Sequence, residues 1–166
     1  MVLTGLAILA CVALAAIFAP WLTRWGPEEM DMLYFLEGPM RGHWLGTDAN
    51  GMDVLSRILH GARIDLGVAI ASVAIAVTLG TLVGLVFGYA GGWLDQVGMR
   101  VLDMFQAFPV FILALAVAAI LGNSMINLIL TIGFINAPPY ARLIRAEVLS
   151  LRSRTFVEAA EAAGDS

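Results

Sequence analysis

Polar side chains that could bind a metal ion lie together in one short segment. Asp48, Asn50 and Asp53 are spaced within a Gly- and Asn-containing turn, and carboxylate and amide oxygens are the ligands that Ca²⁺ prefers. An EF-hand loop also needs ligands at its fifth and twelfth positions, and here those positions hold Met52 and Leu59. We therefore predict no metal site, and interpret the segment as a hydrogen-bonded turn.

Other reactive residue types do not form a recognisable catalytic group. His43 and His60 lack the spacing of metal ligands, and no Ser-His-Asp or Cys-His arrangement is evident. Cys11, the single cysteine, lies inside an apolar run and is interpreted as a packing residue. The nucleotide-binding pattern G-x-x-x-x-G-K-[ST] does not occur. The sequence therefore predicts no cofactor and no enzymatic activity.

The composition predicts the environment in which these residues lie. Hydrophobic residues make up 60% of the chain and charged residues 13%, with a mean hydropathy of +0.88, whereas soluble domains are about 25% charged. We predict an all-α, polytopic helical membrane protein, with no nucleic-acid partner.

Four segments are predicted to cross the membrane, and they divide the chain into three parts. Residues 1–22 form a first span, for which a cleavable signal peptide is the alternative, although no basic region precedes its apolar run. Residues 23–65 form an acidic loop with a surface helix over 54–60, capped by Asp53 and ended by Gly61. Residues 66–166 hold three further spans, over 66–90, over 100–121 and from 125 to a break at Pro138 and Pro139.

The distribution of charge predicts the topology. Residues 142–154 contain four Arg and one Glu, which by the positive-inside rule places them in the cytoplasm. Counting spans backward places the Gly122-Asn123-Ser124 hairpin outside, the 91–100 loop inside and the 23–65 loop outside. Asp103, near the start of the third span, is expected at the level of the lipid headgroups.

Small residues recur at every fourth position of the second span. A ridge of this kind lets another helix approach closely in lipid, where apolar burial alone does not drive helices together. We predict that the ridge packs against another helix. Its members are Ser72, Ala76, Gly80, Gly84 and Gly88.

A short helix is predicted near the end of the chain. Thr155 and Glu158 have the spacing of a capping box, and Gly164 can take the left-handed conformation that ends a helix. A helix this short is marginal in water, so it must dock against something. One face of the helix carries a single aromatic ring and otherwise only small apolar side chains. Its members are Phe156, Ala159, Ala160 and Ala163. Packing as a connector on its own chain and docking on another chain are both open.

Three motifs resemble one transporter family. Residues 158–164, E-A-A-x-x-x-G, resemble the cytoplasmic loop of permease subunits of bacterial ATP-binding-cassette importers. Residues 43–57, H-W-L-G-T-D-x-x-G-x-D-V-L-S-R, and residues 140–152, Y-A-R-L-I-R-x-E-V-L-S-L-R, are similar to the dipeptide, oligopeptide and nickel branch. The family commonly has Arg where Met52 stands and a small or polar residue where Asp65 stands, which leaves the roles of those two side chains open.

The resemblance implies a function and a set of partners. The chain would be an inner-membrane permease of the type I importer kind, with four of an expected six spans present and a clipped N-terminus. The residues that would couple it to a cytoplasmic ATP-binding subunit are Phe156, Glu158, Ala159, Ala160, Ala163 and Gly164. A second permease subunit, an external solute-binding protein and the lipid bilayer are the other implied partners, and neither the solute nor its binding residues can be predicted.

Two other functional classes are considered. A membrane enzyme using Asp103 and His60 is disfavoured, because the predicted topology places these residues on opposite sides of the membrane. A membrane anchor or assembly subunit without its own solute path remains open.

Overall fold

The chain folds into helices joined by one long irregular loop. A computed structural model describes residues 1–122 and 124–164, leaving aside the side chains of Glu158, Ala160 and Glu161. It divides into two compact units, Met1–Gly67 and Val68–Ser166. No named β-strand occurs in the part of the chain described. The helices are α1 Val2–Ile17, α2 Ala19–Leu22, α3 Val54–Ala90, α4 Gly92–Ala107, α5 Val110–Leu121, α6 Met125–Arg152 and α7 Thr155–Ala162.

The predicted first span is one apolar helix followed by a single short turn. α1 contains 16 residues, all uncharged, which at 1.5 Å per residue is about 24 Å. It ends at Phe18, and α2 follows with Pro20 in its first turn, where the missing N–H of proline would have no helical partner in any case. Ala16 and Ala19, on either side of this junction, are buried.

Irregular backbone connects α2 to α3 over residues 23–53. Three isolated antiparallel bridges join Met30 to Met52, Met40 to His43 and Thr47 to Asp53. Further backbone hydrogen bonds run from Asp31 N to Gly51 O at 2.9 Å and from Leu36 N to Asp48 O at 3.1 Å. The segment that contains Asp48 and Gly51 is therefore folded back on the first part of the loop.

The predicted surface helix and second span are one continuous helix, which corrects the predicted stop at Gly61. α3 contains 37 residues, or about 55 Å of helix. Gly61 is absent from the glycines with positive φ, and an added Cβ there would meet no atom within 4 Å. A glycine in helical conformation costs only about 1 kcal/mol relative to alanine, so a single one does not end a helix.

The predicted third span is broken and begins earlier than expected. α4 begins at Gly92, directly after Gly91 with φ +62°, so most of the predicted 91–100 loop is helical. α4 and α5 meet at an angle of 87°. The bend lies at Phe108 and Pro109, where Phe108 is extended with ψ 135°, because the residue before a proline is driven out of the helical region.

The predicted break at Pro138 and Pro139 is wrong, because α6 continues through both prolines. The pair removes two backbone donors from the helix. Neighbouring protein compensates, since Pro138 is buried and the adjacent Ala137 and Ala141 lie against Gly80 of α3. Prolines are tolerated within helices that other helices support in this way.

The connection from α5 to α6 is short. Gly122 ends α5 with φ +82°, and the hydroxyl of Ser124 accepts a hydrogen bond from Asn127 N at 3.1 Å at the start of α6. Asn123, the central residue of the predicted hairpin, lies outside the described residues.

Length and hydropathy distinguish the helices that could cross a membrane. Among the residues described, α3 alone is long and apolar enough as a single helix. The bent pair α4 and α5 passes the same test when its two helices are taken together, and α1 is a shorter apolar helix. The helical membrane class is confirmed, whereas the count of four spans stays a prediction.

Candidate functional site

The face of α7 that sequence analysis singled out is exposed. Only Ser153 and Arg154 separate α7 from α6. Phe156 is 62% exposed, and Ala159 and Ala163 are also exposed. Gly164, just beyond the helix, has φ +91°, a conformation that strongly favours glycine. These described members of the face are therefore not covered by their own chain.

Two residues of the predicted coupling helix, one in its face and one in its cap, lie outside the described side chains. The predictions made for Glu158, including the capping box with Thr155, and for Ala160 concern side chains outside those described. The start of the helix at Thr155 agrees with the predicted start.

The half of α6 that leads to α7 lies directly against the glycines of α3. A Cβ added to Gly80 would lie 2.5 Å from Cβ of Tyr140, and one added to Gly84 would lie 2.5 Å from the backbone oxygen of Ala141. A Cβ on Gly88 would lie 2.9 Å from Cβ of Val148. Real Cβ atoms do not approach this closely, so glycine is needed at all three positions.

The same two helices remain close further from α7. Ser72 and Ala76 are buried, and the hydroxyl of Ser72 donates to the backbone oxygen of Ile129 at 3.3 Å. Gly133 of α6 faces α3 in turn, because an added Cβ would lie 2.7 Å from the side chain of Ile75. All five residues of the small-residue ridge thus lie on the buried side of α3.

Two ion pairs join α4 to α6. Asp95 accepts both a bond from Arg145 Nε and a bond of 2.5 Å from Arg145 Nη2, and the Asp95 side chain is 8% exposed. Asp103 accepts a bond of 2.6 Å from Arg142, but its side chain is 60% exposed. The first pair is bidentate and largely enclosed, and the second is open to its surroundings.

The end of α6 is also bound to the end of α3. Arg152 Nη1 donates to the backbone oxygen of Tyr89 at 2.8 Å, and its guanidinium lies 5.7 Å from the centre of the Tyr89 ring. Gly98 of α4 lies against the ring of Phe87. Helices α3, α4 and α6 therefore meet where α6 leads into α7.

No sequence pattern predicted the pairing of Asp95 with Arg145. The two residues are separated by 50 positions, and Asp95 lies in the predicted 91–100 loop. The predicted topology did place both on the cytoplasmic side, which is the one sequence feature that could have suggested a pair.

A cavity of about 730 Å³ lies between α4, α5 and α6. The bend between α4 and α5 forms part of its wall. The lining is mainly apolar, including Phe105, Phe108 and Phe134, and its polar side chains are Gln106, Thr131 and Asn136.

The loop of the first unit is built around a buried histidine. His43 is 2% exposed, and its Nδ1 lies 3.0 Å from Asp53 Oδ1. Its Nε2 lies 3.5 Å from Asp31 Oδ2, and its ring stacks on Trp25 with centroids 4.7 Å apart. Both ring nitrogens thus have a carboxylate neighbour.

Asp53 connects this histidine to the start of α3. Its second oxygen accepts a bond of 2.7 Å from Ser56 N, so the predicted N-cap is present. The Ser56 hydroxyl then donates to the backbone oxygen of Trp25 at 2.6 Å. One carboxylate therefore caps the helix and holds the histidine that the loop encloses.

Asp48 organises the adjacent turn. It accepts hydrogen bonds from the backbone N–H groups of Asn50 at 2.8 Å and Met52 at 3.0 Å, and it pairs with Arg57. The Met52 bond is the main cause that lowers the pKa of Asp48 below its ordinary value. Among the residues described, no group of three His, Cys, Asp or Glu could hold a metal ion.

Two family models match the sequence of this chain. The model of the "binding-protein-dependent transport system inner membrane component" family matches residues 76–166. The model of the N-terminal transmembrane domain of oligopeptide transport permease C matches residues 1–39. The chain belongs to the binding-protein-dependent permease family. This family comprises transport permeases and not enzymes.

Individual relatives extend along nearly the whole chain. A dipeptide transport system permease protein of Alkalihalophilus pseudofirmus is 43% identical over 98% of this chain and 53% of its own length. A glutathione transport system permease protein of Pectobacterium atrosepticum is 40% identical over 98% of the chain and 54% of its own length. A nickel transport system permease protein of Escherichia coli is 39% identical, with coverage of 96% and 58%. The chain spans about half the length of these relatives.

Proposed function

We propose that this chain is a transmembrane permease subunit of an ATP-driven importer, and that α7 docks on a cytoplasmic ATPase subunit. The observation that carries the proposal is the exposed face formed by Phe156, Ala159 and Ala163, at the end of a helix held by α3 and α4. An exposed aromatic ring beside small residues suits close docking on another protein, because the ring can fill a pocket while the alanines let the partner approach.

The proposed arrangement in the membrane follows the charge distribution. Four spans would place α7 and the basic end of α6 in the cytoplasm and the 23–53 loop outside the cell. The chain would lie in the inner membrane as a multi-pass protein, pair with a second permease subunit and receive solute from an external binding protein. Peptides or a related small solute such as nickel are the proposed substrates, because relatives carry those names.

The docking proposal is tested by enlarging one small residue of the face. Ala159→Trp blocks close approach, and overpacking of this kind costs about 1–3 kcal/mol. We expect about a tenfold loss or more of the ATPase subunit that co-purifies with the chain. Ala162→Ser lies off the face, is exposed and changes little volume, so it is the matched control. Equal recovery of the ATPase with both variants would contradict the proposal.

A membrane anchor without a solute path is the remaining alternative. The two are separated by reconstituting the assembled transporter in liposomes and measuring ATP-dependent uptake of a radiolabelled dipeptide, glutathione and Ni²⁺. Uptake of any one of them supports a permease, whereas co-purification with the ATPase but no uptake of any favours an anchor.

A further inference from the structure

We propose that Asp95 and Arg145 are positioning residues that make α4 move together with the end of α6 that leads to α7. The pair would thereby transmit a movement of α7 to the bent pair α4 and α5. This inference rests on the proposed function. The proposal concerns the enclosed ion pair between the two helices. It assigns the pair to the coupling of ATP hydrolysis to transport, beyond the docking of α7 itself.

The geometry of the pair fixes direction as well as distance. Both guanidinium nitrogens in contact, Nε and Nη2, donate to different oxygens of Asp95. A planar fork bound to a planar carboxylate resists rotation of one helix about the other, which a single contact does not. Among the residues described, this is the one bidentate ion pair.

Its place in the chain connects the two ends of the proposed pathway. Arg145 lies seven residues before Arg152, where α6 ends, so about 10 Å of helix separates the pair from the α6–α7 connection. Asp95 lies in the first turn of α4, which ends at the 87° bend. A displacement of α7 therefore reaches α4 through a short, rigid segment.

Holding α6 in place does not require this pair. The glycines of α3 and the Arg152 bond to Tyr89 already fix the same half of α6. An enclosed ion pair adds little net stability compared with apolar residues, because removing both charges from water offsets their attraction. The pair contributes a defined orientation of α4, and we assign it that role.

A second pair on the same helices supplies a matched control. Asp103 and Arg142 also join α4 to α6, but through one bond and with both side chains largely exposed. Exposed pairs of this kind contribute little net stability. Removing the Asp103 charge therefore tests whether any lost α4–α6 charge has the same effect.

The test compares Asp95→Asn with Asp103→Asn in the assembled transporter, reconstituted with its ATPase subunits and binding protein in liposomes. Co-purified ATPase, ATP hydrolysis and uptake of radiolabelled dipeptide, glutathione and Ni²⁺ are measured together. For Asp95→Asn we expect unchanged co-purification but about a tenfold rise or more in ATP hydrolysed per solute taken up, since the half-buried Arg145 loses its charged partner. For Asp103→Asn we expect this ratio within about twofold of the unmodified transporter.

Exchange of the two charges distinguishes positioning from a general loss of structure. The double variant Asp95→Arg with Arg145→Asp should recover most of the coupling that either single charge reversal loses. If Asp95→Asn fails to assemble, Arg145→Lys is measured instead, because it keeps the charge but cannot form the fork. An unchanged ratio in Asp95→Asn or Arg145→Lys, or no recovery in the exchanged pair, overturns the proposal. Failure of the unmodified chain to bind the ATPase or transport any solute would instead reject the proposed function.

Discussion

The two units of the chain are stabilised by different interactions. In the first, the buried side chains of the loop are polar, and His43, Thr47 and Asp53 satisfy one another or the backbone. In the second, helices α3 and α6 approach through glycine, with Gly80 and Gly84 in contact with backbone atoms of the facing helix. One unit depends on hydrogen bonds between distant loop segments, and the other on the absence of side chains.

The difference agrees with the predicted surroundings, which are water for the loop and lipid for helices α3 and α6. A loop in water gains little from burying a few apolar groups, so it is ordered by enclosed polar groups that specify one arrangement. Helices in lipid gain nothing from moving apolar side chains out of hydrocarbon, so close backbone contact at small residues drives their association. Substitutions should therefore act through lost partners in the first unit and through steric overlap in the second.

The largest effect is expected where a side chain is added to the helix contact. Gly84→Val would place its Cβ 2.5 Å from the backbone oxygen of Ala141, and neither backbone can move without separating α3 from α6. We expect a loss of about 3 kcal/mol, at the upper end of overpacking effects. The loss of stability is measured as a lower midpoint of thermal unfolding in detergent, monitored by size-exclusion chromatography.

A glycine elsewhere on α3 provides the control for this prediction. Gly67→Ala meets no atom within 4 Å, and alanine favours helix over glycine by up to about 1 kcal/mol. This variant should be as stable as the unmodified chain or slightly more stable. Equal destabilisation by both variants would show that the helix contact does not depend on close approach.

A comparable or smaller effect is expected where a polar partner is removed from the loop. Asp53→Ala loses the cap on Ser56 N, worth about 1 kcal/mol, and leaves a buried His43 nitrogen without its acceptor, at about 1–3 kcal/mol. We expect a total loss of about 2–4 kcal/mol. The rate of protease cleavage within residues 23–53 should rise, since the loop opens more often.

The matched variant at this position is Asp53→Asn. Its amide oxygen can still cap the helix or accept from His43, so cleavage should rise much less than in Asp53→Ala. Similar cleavage of both variants would mean that the charge of Asp53, and not its hydrogen bonds, holds the loop.

Local patterns in the sequence predicted several features of the fold. The helical membrane class and the permease family are confirmed. The cap at Asp53 could be predicted because it depends on residues three positions apart, and the start of α7 depends on similarly close residues. The periodic small residues from Ser72 to Gly88 do lie on the buried side of α3, although no sequence pattern identified α6 as the facing helix.

Features that depend on tertiary contacts could not be predicted in the same way. Pro138 predicts a helix break because proline lacks a backbone N–H, but packing against Gly80 supports a continuous helix there. At Pro109 the same residue type does accompany a bend. The partners of Asp95 and His43 lie 50 and 10 positions away, and no local rule specifies them.

The smallest effect is expected at the half-buried Asp48, where the charge alone can be removed. The hydrogen bond from Met52 N–H is the main cause that lowers the pKa of Asp48 in the folded chain. The charged form of Asp48 therefore stabilises the folded loop at pH values above the unfolded pKa near 3.8. This contribution disappears as the pH falls through the lower pKa of the folded state. Asp48→Asn keeps an oxygen that can accept from the backbone but cannot attract Arg57 as an ion.

We therefore expect the loop of Asp48→Asn to be cleaved slightly faster by protease at neutral pH than the loop of the unmodified chain. This difference should be smaller in high salt, because salt screens exposed charges. It should disappear once the pH is below the folded pKa of Asp48. Cleavage after brief exposure to each pH, with an acid-active protease for the acidic samples, measures this. A difference that persists in acid would show that the amide disturbs the turn itself, and the polar interactions of the first unit would then depend on hydrogen-bond geometry more than on charge.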